Sequence, residues 1–168
     1  MNILKYYKMN EDVTPPKFAT DGSACFDICA NIEENVPITV YRMSNLKVKV
    51  KPDNIRFRIA PADRVLVPTG LIFDIPEGHS VRLHARSSIS LKKGLIIPNG
   101  EGIIDSDYYH QTYVMLYNAS ADEVLIKDGD RIAQGELIKT YEYEIKETED
   151  IPEQKTNRVG GFGSTGVK

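Results

Sequence analysis

An all-β fold, a jelly-roll-like double sheet or barrel of many short strands, is what this sequence predicts, and three features carry the prediction. Apolar and polar residues alternate with period two through the middle of the chain, as in Val81-Arg82-Leu83-His84, which is the pattern of a half-buried strand. Turn-forming clusters interrupt that alternation at short intervals. Nowhere do apolar residues recur at helical spacing over a long window, so long helices are excluded. Many short strands joined by turns close into two packed sheets or a barrel.

Taken along the chain, the first distinctive stretch is 46–59. Leu46, Val48 and Val50 alternate with Lys47, Lys49 and Lys51, and Pro52-Asp53-Asn54 turns into Ile55-Arg56-Phe57-Arg58-Ile59. The spacing predicts one hairpin with a wholly basic face, either a solvated edge that blocks aggregation or a surface for an acidic partner. Pro76-Glu77-Gly78, Pro98-Asn99-Gly100 and Asp128-Gly129-Asp130 supply residues that preset φ or tolerate its positive values, and they predict turns. A single short helix is expected around Ser88 to Lys93. From about Thr140 the chain becomes charged, and it ends in Gly160-Gly161-Phe162-Gly163-Ser164-Thr165-Gly166, a flexible arm whose lone aromatic suggests a use.

Composition narrows the classes. The 168 residues are 41% hydrophobic, enough for one domain with a real core plus a loop or tail, and too few for two full domains. A formal net charge of -3 excludes generic nucleic-acid binding, so any polyanion site is local. The N-terminal MNILKYYKMN has no apolar signal region, and no later stretch approaches the roughly 18 to 20 apolar residues of a membrane span. The expectation is a soluble, cytoplasmic protein with no membrane partner. Cys25 and Cys29 read as reduced core side chains, and His79, His84 and His110 lack the spacing of a metal centre.

Three segments carry chemistry. Ile103-Ile104-Asp105-Ser106-Asp107-Tyr108 sets two carboxylates and an aromatic at a strand boundary, where one Asp can hold a water as general base and the Tyr ring can pack on a sugar or base. Arg86-Ser87-Ser88 joins a guanidinium and two hydroxyls at a helix start, which suits phosphate; the plain alternative is a Ser N-cap beside a surface Arg. The glycine-rich end can wrap phosphate oxygens with main-chain amides while Phe162 stacks on a base. It is not a Walker loop, because no Gly-Lys-Ser/Thr follows a strand. A nucleophilic serine is rejected, since there is no Gly-x-Ser-x-Gly elbow.

Together these residues resemble the trimeric dUTP pyrophosphatase (dUTPase) family, whose five ordered motifs match ATDGSACFDICA at 19–30, HARSSISLKKG at 84–94, NGEGIIDSDYYH at 99–110, DGDRIAQGELI at 128–138 and RVGGFGSTG at 158–166. The resemblance implies a β-clip, jelly-roll-like domain over residues 1–145, a homotrimer, and a C-terminal arm, 146–168, that completes a neighbouring active site. It implies hydrolysis of dUTP to dUMP and pyrophosphate, which limits uracil in DNA and supplies dUMP for dTMP synthesis. Asp105 would be the general base and Asp107 structural. Tyr108 would lie under the deoxyribose and exclude a ribose 2′-hydroxyl, while Asn99 and the hairpin bearing Ile103, Ile104 and Tyr113 would read the uracil edge. Arg86, Ser87, Ser88 and Gln134 would contact phosphates. Arg158, Ser164 and Thr165 would engage the terminal phosphates, Phe162 would stack over uracil, and Gly163 belongs to the same substrate-binding set. Mg²⁺ would be held by triphosphate oxygens and waters, with Asp27 in its hydration shell or against a neighbouring subunit.

The chain departs from the family pattern at Cys25, where Gly is frequent, at Tyr109-His110, where Arg-Gly is usual, and in an insert around 41–62. Such inserts resemble those of bacteriophage dUTPases, some of which bind a repressor protein. The resemblance therefore implies a phage-type member in host cytoplasm, with residues 46–59 offered to a repressor. Competing readings are a dCTP deaminase, which shares the fold but uses a glutamate, and a non-catalytic regulatory binding module.

Overall fold

The computed structural model describes residues 2–157 and residue 160. Among these, fourteen strands and one helix run in the order β1 (Lys5–Lys8), β2 (Lys17–Phe18), β3 (Phe26–Cys29), β4 (Ile38–Tyr41), β5 (Lys47–Val50), β6 (Arg56–Ile59), β7 (Arg64–Pro68), β8 (Leu71–Asp74), β9 (His79–His84), α1 (Ser87–Lys93), β10 (Leu95–Ile96), β11 (Gly102–Ile104), β12 (Tyr113–Asn118), β13 (Val124–Lys127) and β14 (Arg131–Lys139). They build two five-stranded sheets, ordered β10-β12-β7-β4-β5 and β11-β9-β14-β3-β2, flanked by the two-stranded ribbons β1-β8 and β6-β13. Every strand pair is antiparallel. The all-β, jelly-roll-like expectation holds, and the helix begins one residue before Ser88.

Period-two patterning explains which face each strand buries. Val114 and Leu116 of β12 lie opposite Val67 and Val65 of β7, all essentially inaccessible, while Tyr113, Met115 and Tyr117 take the outer face. In the second sheet Val81 and Leu83 of β9 point inward and Arg82 and His84 outward. The inward residues of both sheets join in one apolar cluster. At the end of β12, buried Asn118 donates to the carbonyls of Ile59 and Asp122, each at 2.8 Å, and accepts from the Ser120 amide and hydroxyl. It thereby ties β6 and β12 together where no ladder joins them.

The hairpin expected at 46–59 is corrected. Asn54 and Ile55, at φ 47° and 56°, make a tight reversal closed by the paired amides and carbonyls of Asp53 and Arg56. Pairing stops there, because β5 joins β4 and β6 joins β13. Phe57 and Ile59 are deep in the core, 4% and 0% exposed, and burying them on the opposite ribbon pulls the strands apart. The turn between β4 and β5 is held by Arg42, which donates to buried Asp63 at 2.6 Å, and by Arg64, which donates to Asn45. Lys47 and Lys49 on β5, Lys51 just after it, and Arg56 and Arg58 on β6 are all exposed, and β5 and β6 belong to separate sheets.

Candidate active site

Strands β11 and β12 leave the same loop region for different sheets, and a cleft of about 280 Å³ opens between them. Asn99, Ile103, Ile104, Tyr108 and Tyr113 line it, five residues singled out from sequence for base and sugar. Leu66 on β7, Met115 on β12 and Thr112 just before β12 also line it and were missed, because they read as ordinary strand or strand-flanking residues. Gly102 is needed for the narrow approach of β11 to β9, since a Cβ there would meet Leu83 at 3.0 Å. Asp105 follows β11 directly and is exposed, and its carbonyl accepts the Tyr108 amide at 3.1 Å, closing the turn that carries the carboxylate and the ring. Tyr108 is anchored at its far end, its hydroxyl donating to the Gln111 carbonyl at 3.0 Å, while His110 packs edge-on at 5.6 Å between ring centroids. The Asn99 side-chain amide donates to the Glu101 carbonyl, which leaves its oxygen free for a ligand. Asp107 is exposed beside this turn.

A second depression of about 260 Å³ lies at the start of α1, lined by Arg86, Ser88, Lys92, Lys93, Asp130 and Arg131 among others. Four cations against one carboxylate make it suited to a polyphosphate. The helix has Arg86 as N-cap with no side-chain cap bond, so the expected alternative of a capping serine is wrong. The amides of Ile89 and Ser90 both turn back to the Arg86 carbonyl, and Ser87 and Ser88 carry the helix's first N–H groups, which have no intrahelical acceptor. Lys92, Lys93 and Arg131 were not selected from sequence. Lys92 follows Ser88 by one helical turn, a spacing that could have found it.

Asp27 organises this second site. One carboxylate oxygen accepts from Arg86 Nε at 2.9 Å and the other from Arg131 at 3.0 Å. The register irregularity between Arg131 and Ala133 aims Arg131 at it, as bulges do. Gln134, directly opposite both Asp27 and His84, donates weakly to the Ala85 carbonyl at 3.4 Å. On the neighbouring outer face His84 bonds Glu136 at 2.9 Å and faces Glu101 at 3.6 Å, and Arg82 joins Glu101 at 3.0 Å. Burial raises the thiol pKa of both Cys25 and Cys29; Glu136 adds to the rise at Cys25 and Asp27 at Cys29.

Among the described residues no three His, Cys, Asp or Glu side chains converge to hold a metal, and both oxygens of Asp27 are engaged by guanidiniums. The cationic depression fits a triphosphate that brings its own divalent cation. Among the described residues no helix is long and apolar enough to cross a membrane. Arg158, Phe162, Gly163, Ser164 and Thr165 lie outside the described residues. The two depressions share no lining residue: Tyr108 lines the first, with Asp105 next in the chain to its lining residue Ile104, and Arg86 and Ser88 line the second.

Comparison with known proteins agrees with this arrangement. The dUTPase family pattern matches residues 55–166. The chain is 34% identical over 164 residues to the deoxyuridine 5′-triphosphate nucleotidohydrolase of Caulobacter vibrioides, covering 98% of this chain and 93% of that one. It is 34% identical over 161 residues to that of a Hydrogenobaculum species, covering 96% of each. Among solved structures, the dUTPase of Staphylococcus bacteriophage 80alpha with dUpNHpp superposes with a TM-score of 0.75 at 20% identity, over 99% of this chain and all of that one. The Streptococcus mutans dUTPase superposes at 0.65 and 24% identity, over 84% and 98%. The β-clip of that fold is the architecture described above, and the chain belongs to the dUTPase family of nucleotide hydrolases.

Proposed function

We propose that this chain hydrolyses dUTP to dUMP and pyrophosphate, with Asp105 as general base and the site shared among the chains of a homotrimer. The observation that carries the reading is the pair of depressions, one largely apolar with Asp105 next in the chain to its lining residue Ile104, the other cationic. A nucleotide triphosphate needs both kinds of surface, and in a homotrimer they come from different copies of the chain. Asp105 orients a water in line with the α-phosphorus and takes its proton. Tyr108, braced at both ends, forms the floor under the deoxyribose, and a ribose 2′-hydroxyl meets its ring. Arg86, Ser87, Ser88 and Gln134 receive the phosphates, and Asp27 keeps the Arg86 guanidinium in one orientation. Bound with the triphosphate, Mg²⁺ would neutralise charge on the phosphate oxygens. A phage phi11 dUTPase is described with a structural Mg(II) ion, which supports the use of this metal in the family. Residues 146–168, with Arg158, Phe162, Gly163, Ser164 and Thr165, form the arm that closes the site from another copy.

The test is pyrophosphate release from dUTP, UTP, dCTP and dTTP with Mg²⁺. Selective release from dUTP, lowered about 10²- to 10⁴-fold in Asp105→Asn, is the expected result. Ammonia release from dCTP would replace the reading with a deaminase, and a folded trimer inert on all four would leave a binding module.

A second reading concerns the exposed bases of β5 and β6. Phage 80alpha dUTPases are described as controlling transfer of virulence genes by a G protein-like mechanism, and the phi11 enzyme as having a species-specific insert. We infer that Lys47, Lys49, Lys51, Arg56 and Arg58 face an acidic partner, a repressor protein of the phage type. Deleting 46–59 is a poor test, because Phe57 and Ile59 belong to the core. Changing the five bases to Ser should spare dUTP hydrolysis and abolish capture of such a repressor; unchanged capture would end the idea.

A further inference from the structure

Six polar side chains are buried in the described part of the molecule, and five of them have their hydrogen bonds. The exception is Thr112. It is 2% exposed, and its hydroxyl has no partner. The contrast with nearby Thr69 is sharp: that hydroxyl donates to the Thr112 carbonyl at 2.7 Å and accepts the Leu71 amide at 3.2 Å. The main chain of Thr112 is also committed, its amide donating to Leu71 and its carbonyl accepting from Thr69. The side-chain hydroxyl alone is left over, and Thr112 is among the residues that line the cleft between β11 and β12, together with Tyr113 and Tyr108.

An isolated buried hydroxyl costs free energy that its valine isostere would not, so its presence calls for a partner that arrives from outside. A hydroxyl both donates and accepts, and it can meet a carbonyl oxygen or an N–H on the edge of a pyrimidine. We propose that Thr112 is a base-recognition residue, its hydroxyl hydrogen-bonding the edge of the pyrimidine ring seated in the cleft. The inference rests on the reading of that cleft as the nucleotide base site, and it adds a side chain from just before β12 to the contacts expected of Asn99, Ile103 and Tyr113. It does not depend on the arm, on the metal or on the insert.

The experiment uses the full-length protein and two variants, Thr112→Val and Thr112→Ser, with dUTP turnover, dUMP binding and thermal unfolding measured for each. Thr112→Val should raise the KM for dUTP and the Kd for dUMP about tenfold, the loss expected for one neutral hydrogen bond, while kcat holds. The nucleotide-free Tm should stay level or rise, because the variant removes an unpaired polar group. Thr112→Ser should restore nucleotide affinity. If Thr112→Val binds dUMP as tightly as the parent and its free Tm falls, the hydroxyl serves a buried water and the inference is overturned. If the parent itself neither binds dUMP nor turns over dUTP, the reading of the cleft fails and Thr112 loses its role with it. An active, selective parent with an unaffected Thr112→Val variant would overturn the Thr112 assignment alone.

Discussion

Single residues here divide by what their neighbours leave free. Asp27 has no free oxygen, Asn99 has one, and Asp105 stands exposed at the end of its strand. That ordering separates an orienting carboxylate from one able to take a proton, although both are plain aspartates in the sequence. Cys25 illustrates the same point for ionisation. Burial first, and the Glu136 charge second, raise its thiol pKa, so the neutral thiol is the form the fold favours. The stability this contributes is present in full below the pH where an unfolded thiol ionises, and it is lost as pH rises through the folded value. Iodoacetamide should therefore label Cys25 in the folded protein more slowly than in the unfolded chain, with the rate rising only at higher pH. Glu136→Gln should move that rise downward. Buried Cys29 should remain unlabelled until unfolding. Equal labelling rates folded and unfolded would contradict the assignment.

Strands are where local pattern and tertiary demand meet. β14 is the longest strand, and it sits between β3 and β9. Its middle residue, Gly135, faces Leu83 on one side and Phe26 on the other. A Cβ at that point would come within 2.7 and 2.8 Å of Phe26 ring carbons and 3.2 Å of Ile28 Cδ1. Gly135→Ala should cost about 1–3 kcal/mol by overpacking, read as a lower midpoint in urea. An unchanged midpoint would mean that the Phe26 ring yields freely. Gly135 lies one residue from Gln134, so the same close packing sets where that amide projects between Asp27 and His84. The strand pattern itself was legible from alternation. The pairing of β5 and β6 was not, because a tight turn at Asn54-Ile55 looks the same whether its strands stay together or separate. The burial of Phe57 and Ile59 against other parts of the chain decided it.

At the scale of the whole molecule the two depressions have separate linings, and whether one site draws on different chains for them can be tested directly. Asp105→Asn and Arg86→Ala chains, each inactive alone, should regain activity when co-expressed so that mixed trimers form. Random mixing leaves both parts of a site intact in about a quarter of cases if they come from different chains. If both come from one chain, no site in a mixed trimer is intact and activity stays absent. The sequence by itself determined the strand-rich class, the short helix and the order of the motifs, because period-two alternation, turn chemistry and ordered motifs are local properties of the chain. Only the tertiary structure decided that β5 and β6 part company, that Asp27 is held between two guanidiniums, that Lys92, Lys93 and Arg131 share the cationic depression, and that one threonine hydroxyl lacks a partner. Those facts depend on which distant strands become neighbours, and burial across the whole core settles that.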